Sequence, residues 1–240
     1  MVRLLTVLLT ALLCASPSAL RQAPTSRVPL EVVVDGPTDD ARAISGHMTN
    51  VGTRTATAWS LRIAFTYADR PQATSYLDRD NYQLLVVPAA DGHGPLRAGE
   101  SVAFTVALPS NDSLPIATSV VPVAVVYDDR TAVGQKGRVD AIFSRRLLDV
   151  DAANELVSEL QRLVNGGDVT SAALQQLATD LKTPVSPVQE SGLRSLTISN
   201  ISIIIAREKR EPGSLRSGVV RLISLLGQYM QAAQQHSQRR

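Results

Sequence analysis

Three acidic clusters are the residues whose types and spacing come nearest to chemistry. Asp128 and Asp129 stand side by side in VVYDDRTAVG (125–134), Asp39 and Asp40 in PTDDAR (37–42), and Asp78 and Asp80 flank Arg79 in DRDN (78–81). Neighbouring carboxylates can hold a divalent cation or divide acid and base roles between them. Each use asks for more than the pair. A calcium loop starting at Asp78 would place glycine sixth and a glutamate at its end, but the sixth residue is Gln83 and the distal glutamate is missing. A glycosidase cleft would set its carboxylates beside aromatic platforms, and aromatic residues make up 4% of this chain, with Trp59 the single tryptophan. Asp128-Asp129 has no histidine or third acid close in sequence, and Asp-Asp-Arg after an apolar run suits a hairpin turn whose amides the carboxylates bind.

The remaining reactive residues are scattered. His47, His93 and His236 have no metal-ligand spacing, and the chain contains neither a Gly-x-Ser-x-Gly elbow nor a phosphate-binding glycine loop. Cys14 is the only cysteine, so thiol catalysis and a disulfide framework are both disfavoured. No catalytic, cofactor-binding or metal-ligating residue is assigned, and no cofactor is expected. The formal net charge of +2 does not suggest a nucleic-acid surface. The basic run REKREPGSLRSG (207–218) is diluted by Glu208 and Glu211 and reads as an interhelical loop. Asn111-Asp112-Ser113 and Asn200-Ile201-Ser202 match glycosylation sequons.

The elements that would position these residues fall into segregated halves. Residues 1–19 have a basic start, a short apolar core and small residues near Ala19, the layout of a secretory signal peptide. The segment predicts export to the periplasm or the extracellular space. Residues 28–145 read as strands. In Thr55–Tyr67, Trp59, Leu61, Ile63, Phe65 and Tyr67 alternate with Ala58, Ser60, Arg62, Ala64 and Thr66, a strand with one buried face. Ser101–Leu108 repeats the pattern. Weaker strands are predicted at 30–35, 42–49, 81–88 and 116–127, with Pro122 marking an edge or a bulge in the last. Six or seven short strands with regular turn signals predict an antiparallel β-sandwich.

ISGHMTNVGTRTATAWSLRIAFTYAD followed by LRAGESVAFTVALP resembles bacterial extracytoplasmic immunoglobulin-like modules of the FxLYD type over roughly residues 41–109. Gly46, Asn50, Gly52, Tyr67, Asp69, Gly99, Glu100 and Phe104 carry the likeness, while Arg70 departs from it and the stretch from Asp69 to Leu96 is longer than such modules have. The resemblance implies an immunoglobulin-like fold and an accessory or binding role, with no catalytic residues.

Residues 146–237 read as helices. DVDAANELVSELQRLV (149–164) carries an apolar stripe, with Asp149 or Asp151 as cap and Gly166-Gly167 as stop. A second helix starts near Val169, capped by Asp168 or Thr170, and ends before Pro184. Ser186-Pro187 signals a third start, and 193–206 can be read as helix or strand; helix is preferred because its neighbours are helical. In the last helix Leu215, Val219, Leu222, Leu226, Tyr229 and Ala233 share a face, with Ser214 as cap. That stripe suits packing on sibling helices; a membrane surface contacting 214–236 is the lesser alternative. The fold class expected is therefore α+β: an N-terminal immunoglobulin-like antiparallel β-sandwich, then an α-helical region. The function expected is non-enzymatic binding or assembly with a protein partner of the cell envelope. The alternative is a hydrolase whose carboxylates meet only in three dimensions.

Overall fold

The computed structural model describes residues 28–38, 42–69, 71–87, 94–108, 115–167, 169–182 and 192–236. The signal-like segment, Asp39-Asp40, Arg70, His93 and the Asn111 sequon lie outside the described residues. Among the described residues, seven strands form two antiparallel sheets. Strands β1 (Leu30–Pro37), β2 (Ala43–Asn50) and β5 (Ser101–Ala107) pair in the order β1-β2-β5. Strands β3 (Ala56–Thr66), β4 (Ala73–Asp80), β6 (Ala117–Tyr127) and β7 (Ala132–Gly134) pair in the order β4-β3-β6-β7.

One apolar core draws on both sheets. Val32, Met48 and Phe104 come from the first, and Trp59, Leu61, Ile63 and Phe65 from the second. Gly46 makes room for this packing: a Cβ there would lie 2.5 Å from Cζ of Phe104. Asn50 pins the turn after β2. It is fully buried, donates to the carbonyls of Arg54 (2.7 Å) and Leu96 (2.9 Å), and accepts from the amide of Gly52 (3.0 Å). Pro122 sits opposite Leu61, where the β3–β6 register slips, so the bulge accommodates the missing donor.

The described residues that follow form four helices: α1 (Lys136–Gly166), α2 (Ser171–Asp180), α3 (Gly192–Glu208) and α4 (Leu215–Gln235). Residues 193–206 are helical, as preferred. The second core joins Leu156 and Leu160 of α1, Leu174 of α2, Ile201 and Ile204 of α3, and Val219, Leu222, Leu226 and Tyr229 of α4. The apolar stripe of α4 thus packs against its neighbours, chiefly α1.

Three expectations change. Residues 81–88 are not a strand: Asn81–Val86 is a 3-10 helix whose first turn is capped by Asp80, which accepts from the Tyr82 amide at 3.1 Å. Residues 78–80 are not a loop but the end of edge strand β4, whose exposure on both faces erases any alternation. The first helix begins at Lys136 and not near Asp149, which lies buried in mid-helix, so the division expected between 145 and 146 falls within one continuous α1. Its first turns cover the outer face of β3 and β6, where Val139, Ile142 and Phe143 meet Ala58, Ala124 and Val126. That contact buries Ala58, on the face of β3 that its alternation had assigned to solvent, and leaves Arg62 and Thr66 of the same face exposed.

Candidate functional site

Two regions bring polar side chains together: a buried junction between the sheets and the helices, and an open groove among the helices. Arg146 is the centre of the first. It occupies the α1 stripe between Phe143 and Val150 and is 1% exposed. Its guanidinium grips Asp80 bidentately, donating from Nε to Oδ2 and from Nη2 to Oδ1 (3.2 Å). Nη2 also reaches Thr57 Oγ1 on β3 (2.9 Å), and Nη1 reaches the carbonyl of His236 after α4 (3.2 Å). One side chain therefore ties β3, β4 and the end of α4 to α1. Alongside, Gln83 donates to Asp149 Oδ2 (2.7 Å), and Arg145 approaches Asp149 Oδ1 at 3.4 Å. Burial holds the Tyr82 phenol above its ordinary range, partly offset by the Arg146 charge. Tyr229 is pushed up further, by burial first and then by the Asp149 carboxylate.

Asp80 and Asp149 both lie at this junction, where the hydrolase alternative would look for its carboxylates. Both are engaged: Asp80 by a fork of guanidinium donors, Asp149 by an amide and an arginine. Asp80 is 8% exposed and Asp149 fully buried, which leaves a substrate no approach. The arrangement welds elements together: directed hydrogen bonds satisfy Asp80, while Asp149 is held through Oδ2 and by the Arg145 charge beside Oδ1.

The other acidic pairs have similar occupations. Asp78 bonds Arg138, whose guanidinium also reaches Ser60 Oγ (3.2 Å) and lies over the Tyr76 ring. With Asp80 on Arg146, both acids of the calcium-like DRDN run are held by arginines. Asp128 and Asp129 lie in the β6–β7 turn, as expected. Asp129 accepts from the Thr131 amide (2.9 Å) and hydroxyl and pairs with Arg54. The Thr131 hydroxyl bond, above all, holds its carboxyl below the usual range. His47 faces Asp35 across β1 and β2 at 3.3 Å on the surface. His236 follows α4, and its Nδ1 lies 2.8 Å from the Ala232 carbonyl. Asn200 is buried, with its amide on the carbonyls of Val86 (2.7 Å) and Leu196 (2.9 Å), so its sequon is closed in the folded chain. Among the described residues no cluster of three metal-ligating side chains occurs, and no helix is long and apolar enough to cross a membrane.

The groove lies between α1 and α2 and has a volume of about 950 Å³. Ala152, Glu155, Leu156, Glu159, Arg162 and Leu163 line one wall at helical spacing, and Ala173, Gln176, Leu177, Asp180 and Leu181 line the other. It exists because α2 packs mainly on α3 and leaves α1 to α4. Thr170 caps α2 through the Ala173 amide (3.1 Å), and left-handed Gly167 ends α1, so the α1–α2 turn is fixed by backbone chemistry. Arg194, on the first turn of α3, also lines the groove. Neither Arg146 nor Arg194 stands out in composition. Their signal in the sequence is positional: an arginine where a helical stripe calls for an apolar residue.

Comparison with known protein families, curated proteins and solved structures finds no match to this chain.

Proposed function

We propose that the chain is an exported, non-enzymatic binding protein in which an immunoglobulin-like sandwich carries a helical recognition region. The single observation that carries the binding role is the α1–α2 groove, a concave site of ligand-binding size with leucines on its walls and polar groups along its rim. The strand order supports the immunoglobulin-like reading. β1-β2-β5 facing β3-β6-β7 follows the A-B-E and C-F-G arrangement, with β4 added beside β3. The residues of the FxLYD resemblance fit such a module as packing and turn residues, through Gly46 beneath Phe104 and Asn50 in its turn. Export rests on the layout of residues 1–19. For a protein partner in the envelope, edges β1 and β5 offer unpaired backbone, whereas β4 carries the exposed charges of Asp78 and Arg79 that guard an edge. A membrane role for 214–236 is less well supported, because the α4 stripe is turned into the helical core.

The test is a thermal-shift and native mass-spectrometry screen of the full chain against acids, amines, sugars and short peptides. Ala173→Trp, which fills the groove from its α2 wall, is run alongside. The expected result is at least one class that raises Tm in the parent and not in the variant. If no class does so, or if the ligands found are turned over, the binding reading is wrong.

A further inference from the structure

Resting on that binding role, we infer that the groove takes a monocarboxylate with an apolar body, and that Arg194 receives the acid group. Arg194 is 8% exposed and lines the groove, yet among the described residues its Nε has no hydrogen-bond acceptor. Three residues along the same buried face, Thr197 is fully buried and its hydroxyl also lacks a partner. Other serines and threonines on these helices, such as Ser158, Thr179 and Ser199, bond the carbonyl four residues back. A guanidinium N–H held away from water without an acceptor is costly unless something else supplies one.

The neighbouring charges narrow the ligand. Arg162 is taken by Glu159, and Gln176 donates to Asp180 (2.8 Å), so the polar groups of the rim satisfy one another. Among the described residues Arg194 is left with a donor, Nε, that seeks an acceptor. With Glu155, Glu159 and Asp180 around it, each negative charge on a ligand adds repulsion, so a dianion such as a phosphate monoester is disfavoured relative to a single planar carboxylate, which matches the fork of one guanidinium. Leu156, Leu163, Leu177 and Leu181 supply the surface for an apolar chain.

The probes are decanoate, decanol, decyl phosphate and decyltrimethylammonium, titrated into the full chain by calorimetry. Decanoate should bind at least about tenfold more tightly than each of the others, the worth of a charge-assisted bidentate bond over its loss. In Arg194→Met the preference of decanoate over decanol should fall within roughly twofold. The ligand-free variant should melt at or above the parent, because a buried donor without an acceptor has been removed. A lower melting temperature or failure to fold would make Arg194 a structural residue and overturn the inference. So would decanoate preference surviving in Arg194→Met, or equal binding of decanol. If decyltrimethylammonium wins and Ala173→Trp abolishes it, the groove still binds and only the acid assignment falls. If none of the probes binds but another class does so in a groove-dependent way, the outcome is the same. If nothing binds, both readings fall.

Discussion

Arg130 shows what a single backbone position costs in this chain. It is the one described non-glycine residue with positive φ (67°), and it closes the turn after β6: its amide bonds the Tyr127 carbonyl (3.1 Å), and the Tyr127 amide bonds the Thr131 carbonyl (2.9 Å). A side chain in the left-handed region carries strain that glycine lacks. Arg130→Gly should therefore raise the unfolding free energy by about 0.5–1 kcal/mol. Urea denaturation with an unchanged slope and a higher midpoint would bear this out; a lower midpoint would mean the arginine makes contacts that outweigh the strain. At this scale the turn was legible, because Asp-Asp-Arg between apolar segments is turn chemistry whatever surrounds it. The roles of Asp80 and Asp149 were not. A carboxylate in sequence looks the same whether it faces water or a buried arginine from a helix about 66 residues away.

Elements were legible where burial is one-sided. β5 and α4 each bury one face, so their periods stand clear in the sequence. β4 was hidden because it is exposed nearly throughout, and the start of α1 because its apolar residues face a sheet supplied by distant strands. The α3–α4 connection repeats the lesson. Ser214 looks like the cap of α4 but makes no side-chain cap bond; Glu208 does that work from the end of α3. Its carboxylate accepts from the amides of Gly213 (2.7 Å) and Leu215 (3.0 Å) and from the Ser214 hydroxyl (3.1 Å). The Gly213 amide bond, foremost, holds the Glu208 carboxyl below the ordinary 4.5. A depressed folded-state pKa stabilises above the unfolded value, and that contribution is lost as pH falls through the folded one. Glu208→Gln should thus melt below the parent at neutral pH. The gap should close on acidification through and below the ordinary glutamate range. A gap independent of pH would mean that the charge is not what the turn uses.

At the scale of the whole molecule, packed contacts join the two halves, and they should unfold as one cooperative body. The 3-10 helix between β4 and β5 places Tyr82 and Val86 in the helical core, and α1 spends its first turns on the outer face of the sheet. The stretch from Asp69 to Leu96, too long for a simple module, supplies both β4 and this docking helix. Arg146 links the second sheet to the helices, holding Thr57, Asp80 and the His236 carbonyl from one position on α1. Removing it would strand the Asp80 carboxylate in the interior, at a cost of roughly 3–5 kcal/mol. Because the pair sits between the halves, that loss should fall on both together. Trp59, fully buried in the sheet core, reports one half by fluorescence, and the far-UV helical signal reports mainly the other. In denaturant the two midpoints should coincide in the parent and move down together in Arg146→Ala. Midpoints that separate in the parent would show halves that fold independently. Midpoints that separate only in the variant would make Arg146 the residue on which their coupling depends, with the apolar contacts of Val139, Ile142 and Phe143 insufficient alone.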